Sequence, residues 1–191
     1  TKGNLLNTQK SLSLAKLGYE LLDKKRNILI RELMTLVDTA KSICGTIDET
    51  YVKAYSALQM ANIARGVIEN IANAVPVDST LQVSYRSVMG CELPTITIER
   101  KKPVLNYGLQ NTDSNVDQAY ICFEKVKYMT AVLAEVENSI YRLTNSIRKT
   151  QTRANALQNI VIPRYESIVR YITDSLEEKE REEFSRMKVI K

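Results

Sequence analysis

The chain has 191 residues, of which 26% are charged, and a net charge of +5 from 27 basic and 22 acidic residues. That length allows one or two compact domains, but 6 Gly, 4 Pro, 2 Phe, 10 Tyr, no Trp and no His do not suit a broad globular core. Few turn-formers and many charges suit long helices. Without histidine the commonest acid–base group and metal ligand is missing. The mild, sign-mixed positive charge is the ordinary outer face of a long helix rather than a nucleic-acid footprint.

From the N-terminus, a 4-3 apolar track runs through Leu5, Thr8, Leu12, Ala15, Tyr19, Leu22, Arg26, Leu29, Leu33, Leu36, Ala40 and Ile43. It continues in phase through Ile47, Thr50, Ala54, Ala57, Ala61, Ala64, Ile68 and Ile71. A seam of this length predicts a coiled-coil helix over 1–73, capped by Thr1 or Asn4 and ended by Pro76, which disfavours helix at Val75. Gly45, followed by Thr46 and Glu49 at capping-box spacing, resembles a stop and restart. Because the seam keeps its phase there, the expectation is a kink near 45, not a domain boundary. Arg26 is a polar step in the seam, where register or flexibility is set.

The stretch 74–114 reads as a connector. Leu81, Val83 and Tyr85 alternate with polar residues, as do Ile96 and Ile98, and Ser87 to Pro94 supply a glycine turn and a strand-edge proline. This predicts a β-hairpin, which alone is barely stable and must pack on the helix ends or on a partner. Residues 100–114 read as loop. A second seam, Ala119, Cys122, Val126, Met129, Leu133, Val136, Ile140, Leu143, Ile147, Thr150, Ala154, Leu157, Val161, predicts a second helical arm over 115–191, with Ser114 and Asp117 as its capping box. Past Val161 the seam takes an extra four-residue step to Tyr165, then Ile168, Ile172 and Leu176; this stutter coincides with Pro163 and predicts a bend near 163. The fold class is therefore mainly α: two very long helices in an antiparallel coiled coil with a small hairpin and loop connector at one end. Matching the arms end to end puts Ile71 near Ala119 and Leu5 near residue 185.

No segment carries recognisable covalent chemistry. There is no GxxxxGK[ST] or GxGxxG phosphate loop and no GxSxG elbow, and Cys44, Cys91 and Cys122 have neither zinc nor CxxC spacing. No cofactor, metal site or catalytic residue is expected, and no apolar run approaches the roughly 18 residues of a membrane span. The acidic and basic run from Glu177 to Glu183 fits a solvated helix face with i,i+4 pairs Glu177–Arg181 and Glu182–Arg186. One pattern exceeds what a two-stranded coil needs. Leu14, Leu17, Leu21 and Ile28 form a second apolar stripe, which fits either self-association or insertion into a partner's bore.

In order along the chain, several segments carry a family likeness. They are Thr1-Lys2-Gly3-Asn4-Leu5-Leu6, Gly18 to Arg26, Arg86 to Pro94, Lys149 to Leu157, Ile162-Pro163-Arg164-Tyr165-Glu166, and Leu176 to Lys188. On two matched arms, this chain resembles the D subunit of the V-type and archaeal A-type rotary ATPases, over essentially its whole length. Thr152-Arg153-Ala154 departs from the more basic, valine-containing stretch usual in that family. The resemblance implies a non-catalytic central rotor stalk, cytoplasmic and peripheral to the membrane. Its termini would lie inside a ring of A and B subunits, and its connector end would carry the F subunit and the C/d stalk subunit. It also implies roles. Leu14, Leu17, Leu21 and Ile28 become a bearing surface, the tail with Glu177 and Arg181 a candidate for polar contacts with the ring, Arg164 and Tyr165 partner-binding residues, and Val88 and Met89 of the hairpin an outboard contact near the F subunit. The competing readings are a stand-alone coiled-coil scaffold or tether and, less simply, a helical nucleic-acid-binding arm.

Overall fold

The computed structural model describes residues 1–99, 107–108 and 112–190. Helix α1 spans Lys2–Arg65, a short α2 spans Glu69–Ala74, strands β1 and β2 span Gln82–Val88 and Cys91–Thr97, and α3 spans Ser114–Ala156. A π turn over Leu157–Val161 leads directly into α4, Ile162–Ile190. The protein is thus mainly helical, with one two-stranded antiparallel sheet among the described residues. The loop expected over 100–114 lies mostly outside the described residues.

Two compact units divide the chain, each built from both helical arms: Thr1–Ile30 with Asn145–Lys191, and Arg31–Thr144. In the first unit the arms run antiparallel, with Lys2 Nζ 3.1 Å from Glu180, Lys16 Nζ 2.7 Å from Glu166, and Arg26 donating to Gln151 Oε1 at 2.9 Å. In the second, Tyr51 and Thr130 hydroxyls lie 3.0 Å apart and Arg65 reaches Asp113 at 3.3 Å, again antiparallel.

Burial follows the 4-3 tracks closely. From Leu5 to Ala61 the seam positions of α1 are covered, and so are those of the second arm from Ala119 to Leu176. Leu29, Ala54, Ala61 and Leu143 are fully buried. Burying such side chains contributes roughly 1.5–3 kcal/mol for each leucine before entropy is counted. Polar seam positions are satisfied locally. Arg26 holds Gln151 and Asp23, and buried Thr150 donates to the Ser146 carbonyl at 2.8 Å.

Four local points refine the sequence reading. First, α1 passes through Gly45 without a break, in keeping with the absence of a boundary there, and Thr46 Oγ1 donates back to the Ser42 carbonyl at 3.2 Å instead of capping a new helix. Helix continuity wins because Ile43 and Ile47 are both covered on the seam. Second, the helix ends at Arg65, not 73. Gly66 adopts φ +79°, a left-handed conformation that costs only glycine little, and donates to the Asn62 carbonyl at 2.8 Å. Ala64 is therefore exposed, and the chain turns back through α2. Third, the open-end register differs. Lys2 meets Glu180, so the expected pairing of Leu5 with residue 185 is several residues too far along. Ile71 and Ala119 do line one cavity, as expected. Fourth, Asp117 does not close a capping box with Ser114; its carboxylate accepts the Tyr107 hydroxyl at 2.6 Å. Burial and that bond together raise the Tyr107 hydroxyl well above the ordinary phenol range.

Gly45 gives a direct test of helix energetics. A Cβ built there meets nothing within 4 Å, and the backbone is helical. Gly45→Ala is expected to stabilise the chain by about 0.5–1 kcal/mol, read as a higher midpoint in thermal or urea unfolding. A lower midpoint would mean that the helix uses the glycine's flexibility.

Candidate partner-binding surfaces

The first unit displays its second stripe openly. Leu14 is 71% exposed, Leu21 66%, Leu17 is more than half exposed, and Ile28 is exposed at 39%. Each lies one or more turns from the next on one face of α1, while the neighbouring seam residues Ala15, Tyr19, Leu22 and Leu29 are covered. The unit therefore has its own buried seam and an additional apolar surface that its own packing does not use. Leu6, Ile160 and Tyr171 are also exposed in this unit.

The remaining expected contact residues divide. Arg164 is exposed, but Tyr165 is half-buried on the seam. Glu177 and Arg181 pair with each other at 3.6 Å, and Glu182 with Arg186 at 3.8 Å, all strongly exposed. Pairs of this kind contribute only a few tenths of a kcal/mol, so their charges stay accessible. The end of α4 is exposed throughout and carries Phe184, Met187, Val189 and Ile190, with the Lys188 ammonium 5.0 Å from the Phe184 ring centre.

In the second unit, Val88 and Cys91 flank a two-residue turn in which Met89 has φ 51° and Gly90 φ 75°. Both signs are those of a type I′ hairpin turn, where Asn-Gly is the favoured pair. A methionine at such a φ is uncommon; Val88 is half-buried and Met89 is 46% exposed.

Side chains that sequence patterns could not reveal hold this hairpin on the helices. Arg86 pairs with Glu32 of α1 at 2.7 Å. The Ile96 amide donates to Glu135 Oε2 at 3.0 Å, and Arg142 of α3 donates to the Glu92 carbonyl at 3.1 Å while its guanidinium lies 5.4 Å from the Tyr85 ring centre. Leu93 and Pro94 of β2 are buried, whereas β1 is exposed along nearly its whole length. These partners lie 39 to 54 residues away in sequence, which explains why no local motif announced them.

Two further features belong to the second unit. Leu58, Ile68, Ile71, Val75, Tyr107 and Phe123 help to line an apolar cavity of about 420 Å³ near the end of the helix pair. The segment after α2 is pinned by Asp78, whose carboxylate accepts from Lys127 at 2.9 Å and from the Thr80 hydroxyl and amide. The Lys127 hydrogen bond, then those from Thr80, hold the Asp78 carboxyl well below the usual carboxylate range. Because its folded-state value is depressed, the contribution of this anchoring is present in full above the unfolded value, about 4, declines below it, and is lost as pH falls through the much lower folded-state value. The protection factor of the Thr80 amide, its exchange rate divided into the intrinsic rate at each pH, is expected to fall as acidification below pH ~4 weakens the anchor, and Asp78→Asn should show the lower protection at neutral pH. Equal exchange in both proteins at neutral pH would remove Asp78 as the anchor.

Among the described residues there is no group of three or more His, Cys, Asp or Glu side chains placed to hold a metal, and no helix is long and apolar enough to cross a membrane. All three cysteines are free. The described surfaces include an apolar stripe on a helical coil, an exposed charged helix end and a hairpin clamped by helix side chains.

The class is that of long helical proteins with an inserted hairpin, here with apolar surface on the first unit that its own packing leaves uncovered. Similarity to known proteins specifies the class. Residues 4–191 match the family model for the D subunit of ATP synthase. The chain is 40% identical over 193 residues to the V-type ATP synthase D subunit of Thermotoga neapolitana, covering all of this chain and 95% of that one. It is 35% identical to the A-type ATP synthase D subunit of Pyrococcus horikoshii and 36% identical to that of Thermococcus kodakarensis, covering all of this chain and 92% of each. The chain belongs to the family of ATP synthase D subunits.

Proposed function

We propose that this chain is the non-catalytic central rotor shaft of a V/A-type rotary ATPase. It would couple ATP hydrolysis or synthesis in a ring of A and B subunits to ion translocation in the membrane sector. Family membership supports the setting. The observation that carries the mechanical reading is the stripe of Leu14, Leu17, Leu21 and Ile28, exposed on a unit whose own seam is already closed. A surface of that kind is stabilised when an apolar sleeve covers it. An asymmetric shaft turning in such a sleeve meets equivalent catalytic sites with different contacts, and those differences shift the sites' nucleotide affinities in turn.

In this reading the charged end of α4 makes polar contacts with the ring, and the connector end carries the F and C/d subunits. The chain itself sits at the cytoplasmic side as a peripheral component. The test is affinity purification of the tagged chain from its native host with quantitative mass spectrometry. Recovery of A, B and F subunits in a ratio near three to three to one, per copy of this chain, is the expected result. Recovery alone or as a homo-oligomer would replace the rotor with a stand-alone coiled-coil scaffold.

A further inference from the structure

The two edges of the hairpin are treated very differently. The register closes Val88 on Cys91 across a two-residue turn and then pairs Ser87 with Glu92, Tyr85 with Pro94 and Val83 with Ile96. In an antiparallel ladder, alternate pairs direct their main-chain groups inward to each other and the pairs between direct them outward. The outward set on β2 is identified by its partners: the Glu92 carbonyl takes the Arg142 guanidinium, the Ile96 amide takes the Glu135 carboxylate, and Pro94, between them, has no N–H to satisfy. That edge is thus engaged by helix side chains at both ends and has no donor in its middle.

The corresponding outward set on β1 is Val83, Tyr85 and Ser87. Among the described residues, no hydrogen bond reaches the main-chain N–H or C=O of these three. Of the devices that normally blunt an exposed strand, β1 lacks proline, lysine and any bulge in its pairing, and its one charged side chain, Arg86, is tied to Glu32 of α1. Leu81, Val83, Tyr85 and Met89 leave apolar surface beside it.

From these edges we infer that β1 is a strand-addition site, taking an extended segment of a neighbouring polypeptide of the complex that carries apolar residues at alternate positions. A strand is the one element whose main chain presents donors and acceptors at the spacing of Val83, Tyr85 and Ser87, and its alternate side chains would cover Val83 and Tyr85. The occupant is a different polypeptide, since the inference rests on the rotary reading, in which this chain works as one component among others. Clamping of the hairpin by Glu32, Glu135 and Arg142 keeps β1 in place and facing outward before the partner arrives.

The test uses the full chain alone and in the purified native ATPase complex, with amide hydrogen exchange resolved to single residues. In the free chain, the amides of Ser84, Arg86 and Val88 should be protected and those of Val83, Tyr85 and Ser87 fast. In the complex, the fast set should slow at least tenfold. Ser87→Pro removes one outward N–H without touching an inward one and should weaken retention of the contacting polypeptide at least tenfold, whereas Ser87→Ala should not. Protection of Arg86 and Val88 in the Ser87→Pro chain checks that its hairpin still forms. A complex that assembles with Val83, Tyr85 and Ser87 still fast, or with Ser87→Pro retained normally, overturns strand addition alone. A wild-type chain that recruits no ATPase subunits overturns the rotary reading and this inference with it.

Discussion

Replacing Leu14, Leu17 and Leu21 together with serine is expected to leave the free chain folded and helical while reducing assembly with the A and B subunits by at least tenfold. The separation of effects follows from exposure. All three side chains are more than half exposed in the free chain, so truncating them opens no cavity in it. The cost to the free chain is the lower helix propensity of serine, a few tenths of a kcal/mol at each position. Inside an apolar sleeve each leucine would recover roughly 1.5–3 kcal/mol on full burial. Even a third of that total exceeds the roughly 1.4 kcal/mol that corresponds to a tenfold change in binding. The measurement is reconstitution of the ATPase from separate subunits, reading complex yield and the coupling of turnover to ion transport, with circular dichroism of the free variant alongside. Unchanged assembly and coupled turnover would show that the stripe is not a bearing surface.

The seam behind that stripe is legible because burial on a two-stranded coil is a one-dimensional problem. A covered position recurs at fixed spacing, and nothing distant is needed to see it. Hence Leu12, Tyr19, Leu29, Leu143 and Thr150 are covered where the 4-3 tracks put them. Local signals that contradict the seam mislead wherever they are given more weight than it. Gly45-Thr46 with Glu49 spells a restart, yet the helix continues because breaking it would uncover Ile47, which is 5% exposed. The true stop is Gly66 and not Pro76. Both residues end helices, but a left-handed glycine directly after Arg65 acts first. The hairpin is recognisable from its alternation, although its strands run further toward the turn than the apolar residues alone suggest, to Val88 and Cys91. Its docking is not legible, because Glu32, Glu135 and Arg142 are ordinary helix-surface charges until the fold brings a strand edge beside them.

The stutter at Pro163 is visible as a pattern, and the structure supplies its mechanism. In an α-helix each residue turns about 100°, so two successive four-residue steps would carry Tyr165 about 80° away from the line through Leu157. Yet Leu157, Val161 and Tyr165 are all covered, while Arg164 and Tyr171, which an unbroken heptad would turn inward, are exposed. The π turn reconciles these observations. The Ile162 amide donates to the Leu157 carbonyl, five residues back, so this turn holds one residue more than an α-turn and the three side chains stay in line. Pro163 belongs to the same device, since its ring would collide with the Asn159 carbonyl in a regular α-helix.

It follows that deleting Pro163 removes the extra residue and the steric obstacle together. The π turn should close to α, Tyr165, Ile168, Ile172 and Leu176 should keep their face, and stability should stay within about 1 kcal/mol of wild type. Deleting exposed Glu20 from α1 is the contrasting case. That arm has no wide turn to release, so Leu22, Arg26 and fully buried Leu29 would each rotate by about 100° from the seam. With several leucines displaced at roughly 1.5–3 kcal/mol each, the loss should reach about 5 kcal/mol or more. Urea unfolding of the two deletions decides the matter. Comparable destabilisation by both would mean that the π turn is an irregularity forced by the proline, not the element that keeps the C-terminal arm in register.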